Sequence, residues 1–208
     1  MLVSRRGRLS GGCLALLSAV AFSASACGSS DDSGGTSATT RPAAASAKAA
    51  ETSSASSSTD FAALVIKPED IPIPGFAQKT ATPLSQSGAN GIAVLFATAD
   101  DTRQVGDTIL VLPDETAASS AMQAALTASK GQLTGGTATP VQVGDGGTVV
   151  SGSQNGKAST VLIFQQGTAF VVLQFDSAPD DPVPADLVTT VGQKQADSIK
   201  AGLRTVGG

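Results

Sequence analysis

Three features of the sequence predict one α+β domain over residues 60–208. Apolar runs of β type come in consecutive blocks, tight-turn signals stand between them, and two helical stripes separate the blocks rather than alternating with single strands. The order reads roughly α-β-β-β-α-β-β-β-β-α. Consecutive hairpins imply an antiparallel sheet, so the expectation is one curved antiparallel sheet with two longer helices packed against it.

The elements follow in order. "DFAALVIKPEDIPIPGF" predicts a short helix that meets Pro68, Pro72 and Pro74, each of which breaks a regular continuation. "GIAVLFATA" (Gly91 to Ala99) and "DTILVLP" (Asp107 to Pro113) are β-like runs bounded by polar turns. "DETAASSAMQAALTASKG" predicts a helix. Asp114 is its N-cap and Glu115 suits the positive helix end. Ala118, Met122, Ala125 and Leu126 form its buried stripe, and Gly131 ends it.

Strand signals resume with "TPVQV" and "GTVVSGS". Asn155-Gly156 in "QNGK" marks a hairpin, because both residues accept the positive φ of a tight primed turn. "ASTVLIFQ", a turn at Gln166-Gly167, and "TAFVVLQFD" follow. Their nearly continuous apolar character predicts central strands covered on both faces. The closing "DDPVPADLVTTVGQKQADSIKAGL" predicts a helix. Pro184 fits its first turn, Leu187, Val188, Val191, Ile199 and Leu203 form its stripe, and Gly192 is a weak spot. A domain of this size buries ~70% of its unfolded surface.

Ahead of the domain, residues 1–26 divide like an export signal. Arg5, Arg6 and Arg8 form a charged region, Gly11 to Phe22 an apolar one, and Ser23 to Ala26 are small. The apolar run falls short of the ~20 residues that span a bilayer. Cleavage between Ala26 and Cys27 is therefore expected over a retained anchor. Cys13 leaves with the leader, so the exported chain carries a single thiol. An odd cysteine outside the cytoplasm needs an explanation. Lipidation of Cys27 supplies one, with a free thiol or an intermolecular disulfide as alternatives. Two acyl chains suffice for stable anchoring, at ~0.8 kcal/mol per buried CH₂.

Residues 27–59 then form the expected tether. From Gly28 to Thr59 there is no Val, Leu, Ile, Phe or Met. A segment with nothing to bury cannot offset its ordering entropy, so disorder is predicted, with a span on the order of 30 Å. Its Ser, Thr and Pro content suits either a plain spacer or an O-glycosylated one.

Composition narrows the function. Histidine, tryptophan and tyrosine are absent. That removes the commonest acid/base residue, the commonest zinc ligand and most stacking platforms. The chain carries a formal charge of −4, which loss of the three leader arginines takes to −7. An acidic chain without stacking aromatics excludes nucleic acid as the expected partner.

The chemical motifs fail on spacing or context. "VGDGGTVVSG" (Val143 to Gly152) lacks phosphate-loop spacing and leads into a strand, so it reads as a turn. Asp100-Asp101, Asp114-Glu115 and "DSAPDD" (Asp176 to Asp181) lack the alternating ligand spacing of a calcium loop. No serine lies in G-x-S-x-G, and without histidine a Ser-His-Asp triad is impossible. A serine with Lys157 or Lys194 as base is the remaining catalytic option. No catalytic residue, metal or cofactor is expected.

The signal with Cys27, the tether and the single domain together resemble small mycobacterial cell-envelope lipoproteins. "VQVGDGGTVVSGSQNGKASTVLIFQQGTAFVVLQFDSAPDDPVPADLVTTVGQKQADSIKAGL" carries the detailed pattern. Ala24 stands where the lipobox of that group usually has leucine. The layout is also similar to LpqN-like lipoproteins and to sensor domains of mycobacterial receptor kinases, which often carry disulfides where this domain has no cysteine. The resemblance implies a sheet flanked by helices on a lipid-anchored protein, outside the cell membrane, and no catalytic residues. The expected function is a non-catalytic module that binds an envelope protein or a lipid-like ligand. Alternatives are a serine/carboxylate hydrolase of envelope components and a structural surface protein with no dedicated ligand.

Overall fold

The computed structural model describes residues 61–206 apart from 87, all within one compact unit of the chain. The leader, the cleavage site at Ala26 and Cys27, and the tether lie outside the described residues.

Among the described residues, seven antiparallel strands form one sheet. They are β1 (Ala77–Gln86), β2 (Ala89–Ala97), β3 (Gln104–Val111), β4 (Thr134–Val141), β5 (Gly147–Gln154), β6 (Lys157–Gln166) and β7 (Ala169–Ser177). Two long helices accompany them, α1 (Glu115–Gln132) and α2 (Ala185–Val206). The spatial order is β1-β2-β3-β7-β6-β5-β4. Two meanders, β1–β3 and β4–β7, are therefore joined by a single pairing that runs from Gln104↔Asp176 to Val111↔Ala169. The predicted α+β class and antiparallel sheet stand.

Alternation along the central strands sends side chains to two cores. On β6, Leu162 and Phe164 join one core, while Val161 and Ile163 join the other. The larger core receives Val188, Val191, Ala196 and Ile199 of α2. The smaller receives Ala118 of α1, with Ala121, Met122, Ala125 and Leu126 partly buried against it. The helices thus cover opposite faces. Phe96, Phe164 and Phe175 are essentially fully buried in the α2-side core.

Helix α1 starts where expected. The Asp114 carboxylate accepts a hydrogen bond from the Ala117 amide at 2.8 Å, satisfying one of the free donors of the first turn. It does not end at Gly131, which stays helical; Leu133 closes it, its amide bonding the Ser129 carbonyl. Pro184 lies just outside α2, and its carbonyl accepts the Val188 amide. Gly192 is a seat rather than a weak spot. A Cβ there would collide with Leu162 Cδ2, so its bare backbone lets α2 settle on β6.

The predicted short helix before the sheet is two 3₁₀ turns, Ala62–Leu64 and Pro68–Asp70. Residues 61–76 instead form a strap. Phe61, Leu64, Ile66 and Ile71 are buried in the α2-side core. Gln195, fully buried on α2, fixes the strap at two points. Its Oε1 accepts the Ile66 amide at 3.0 Å, and its Nε2 donates to the Leu64 carbonyl at 2.6 Å. On this face α2 rests on β6 and β7. Ile92, Val94, Phe96, Val105 and Ile109 on β2 and β3 belong to the same core as the buried side chains of the strap.

Candidate functional site

The strap emerges at one end of the sheet as "IPIPGF", Ile71 to Phe76. Pro72 and Pro74 have no amide to donate, and Gly75 takes a φ of 89° that reverses the chain into β1. Pro72 and Pro74 are exposed, and Ile73 and Phe76 are half-buried. An apolar ridge results. A groove of about 440 Å³ lies on each side of it. One is lined also by Pro68 and Glu69; the other by Thr98, Asp100, Thr102 and Arg103 of the β2–β3 loop.

That loop is rigidly braced. Asp100 Oδ1 accepts from the Thr98 hydroxyl at 2.7 Å, the Thr102 hydroxyl at 2.9 Å and the Thr102 amide at 3.2 Å. These bonds, the Thr98 hydroxyl first, hold the Asp100 carboxyl below its ordinary range. Arg103 Nη2 donates to Asp181, tying the loop to the β7–α2 connection. Lys79, at an irregularity in β1, pairs with Asp101 at 3.6 Å. The site therefore presents an apolar ridge beside a braced loop carrying both signs of charge.

The predicted motifs fall into place around this end or far from it. Of the acidic pairs, Asp181 is engaged by Arg103, Asp176 receives the Gln174 amide, and Asp114 caps α1. Among the described residues no group of three or more acids, histidines or cysteines is placed to hold a metal ion. The glycine-rich stretch is a turn. Asp145 within it accepts the Gly167 amide at 2.6 Å and Gln166 Nε2 at 3.2 Å, which pins the β4–β5 loop to the β6–β7 turn. Lys157 shares a face of β6 with Ser159, two residues on. The Ser159 hydroxyl is buried with no hydrogen-bond partner, so Lys157 does not engage it.

The residue that sequence reasoning passed over is Asp107. Taken as the polar start of a strand, it lies in the middle of β3, between Val105 and Ile109 on the α2-side face. Its register neighbours are Val94 on β2 and Leu173 on β7, both buried. Both carboxylate oxygens are buried without a partner, and burial pushes the group up to about 8. The signal that finds it is the alternation itself. Once Val105 is included in the strand, Asp107 occupies an inward position.

No family model and no curated protein matches the chain. Among solved structures it is similar to the extracellular domain of PknH from Mycobacterium tuberculosis. The TM-score is 0.49 at 8% identity, covering 69% of this chain and 96% of that one, a likeness too faint to build on.

Proposed function

We propose that the protein is a lipid-anchored envelope lipoprotein whose domain binds a protein partner at the "IPIPGF" ridge. The ridge is the observation that carries the reading: proline-stiffened apolar side chains reach solvent beside Arg103 and Asp100, with little conformational freedom to lose on binding. The three fully buried phenylalanines of the α2-side core, Phe96, Phe164 and Phe175, favour a protein over an acyl chain as ligand. Cys27 and the tether supply the anchor. The sealed hydroxyl of Ser159 weighs against a pairing with Lys157 as nucleophile and base.

Two linked measurements test the proposal. The Cys27→Ala protein is expected in the soluble fraction of lysed cells; unchanged membrane retention overturns the anchor. A photo-crosslinking residue at Ile73 is expected to trap one discrete protein, and the same residue at Thr139, exposed on β4, to trap none. Equal or absent adducts at both positions overturn the ridge as the binding surface.

A further inference from the structure

We infer that the partner docked at the ridge is a cationic, apolar protein segment: its aliphatic or aromatic side chain enters a groove while its lysines or arginines meet an acidic rim. This rests on the proposed function for the surface itself and adds the chemistry of what covers it. Both grooves are apolar along the ridge, through Ile73 and Pro74, and each is also lined by a carboxylate, Glu69 in one and Asp100 in the other. The neighbouring cations are already matched. Lys79 pairs with Asp101 at 3.6 Å, and Arg103 donates to Asp181. Along the strap, the start of β1, the β2–β3 loop and the β7–α2 connection, that leaves Glu69, Asp70, Asp100 and Asp180 against Lys67. The hydroxyl and amide bonds that Asp100 accepts favour its ionised form. An apolar surface with a negative rim selects a partner whose own rim is positive.

Other occupants fit less well. Residues 28–59 of the chain itself contain no Val, Leu, Ile, Phe or Met, so they bring no large apolar side chain to the grooves. A second copy in a two-fold contact would set the same acidic rim against itself, and like charges oppose that. Anionic lipid headgroups meet the same repulsion. Glu69 and Asp180 are exposed, so each pairing with a partner cation adds little affinity. What the rim supplies is discrimination and a faster encounter, while the apolar side chain supplies the burial. The discrimination is therefore the part that salt removes.

The test uses the full-length protein in non-ionic detergent, with a photo-crosslinking residue at Ile73 or, as control, at Thr139. The probes are two synthetic peptides, Lys-Leu-Lys-Phe-Lys-Leu-Lys and Glu-Leu-Glu-Phe-Glu-Leu-Glu, which share their apolar side chains and differ in the sign of their charge. At Ile73 and low salt the lysine peptide is expected to give at least about tenfold more adduct than the glutamate peptide. Added salt should shrink that ratio. Glu69→Gln combined with Asp180→Asn should lower it about threefold. Equal adducts with the two peptides at Ile73, or a preference for the glutamate peptide, overturn the cationic partner and leave the ridge standing as a docking surface. A lysine preference that neither salt nor the double variant changes also overturns it, because the rim is then not the source. Adducts as strong at Thr139 as at Ile73, or none at Ile73, remove the ridge itself and the inference with it.

Discussion

Asp107 and Gln195 show what a single buried polar side chain does in opposite circumstances. Gln195 uses its carbonyl and one amide hydrogen on the strap backbone, so its burial is compensated. Asp107 has no such compensation and remains folded by keeping its proton. Between pH 3.8 and about 8 the folded protein holds one more proton at this site than the unfolded chain. Stability therefore falls as pH rises through that window, by up to about 1.4 kcal/mol per unit. Asp107→Asn removes the titration. Denaturant unfolding is expected to show the variant more stable than wild type at pH 8, with the gap shrinking as pH approaches 4. A constant gap would locate the effect in packing instead. Asp107 was legible only in part from sequence. The run "DTILV" looks like a strand that begins at its aspartate, because an acid at an inward position contradicts the usual cost of burial.

At the scale of elements, glycines in the two helices separate propensity from contact. A Cβ added at Gly131 on α1 meets nothing within 4 Å, whereas one at Gly192 on α2 would collide with Leu162 and press on Val143 at 3.1 Å. The same substitution should then act with opposite sign. Gly131→Ala is expected to stabilise by up to about 1 kcal/mol through helix propensity. Gly192→Ala is expected to destabilise by ~1–3 kcal/mol through overpacking. Thermal unfolding of the two variants checks the pair. Propensity alone reads both glycines as weaknesses, since the distance to a neighbouring strand is not a local property. The helices, β6, β7 and the Asn155-Gly156 turn were visible because periodicity and turn chemistry agree there; Asn155 and Gly156 take φ of 53° and 74°. Strand β1 left no such mark. "AQKTATPLSQ" is exposed on both sides except at Leu84, so no alternation develops. The prolines were visible as helix breakers, but the groove beside them depends on a β2–β3 loop distant in sequence.

For the whole molecule, both sheet edges bear the same protection. Pro83 on β1 and Pro140 on β4 each interrupt the outward row of amides, and each strand carries a register irregularity, between Gln78 and Thr80 and between Thr134 and Thr137. Restoring both amides should make the edges adhesive. Pro83→Val with Pro140→Val, in the Cys27→Ala background, is expected to shift sedimentation velocity towards dimers and larger species as concentration rises. A persistently monomeric variant would assign the protection to Lys79 and the irregularities alone.

The sheet order has one further consequence, for the growing chain. The last strand to be synthesised, β7, occupies the middle of the sheet, and the first three wait beside an empty place until it arrives. Until then β3 offers an unpaired row of backbone groups flanked by Val105 and Ile109, the kind of surface that chaperones or neighbouring chains capture. A product that stops before β7 lacks the keystone rather than an edge: two three-stranded fragments with no shared ladder, and neither core closed.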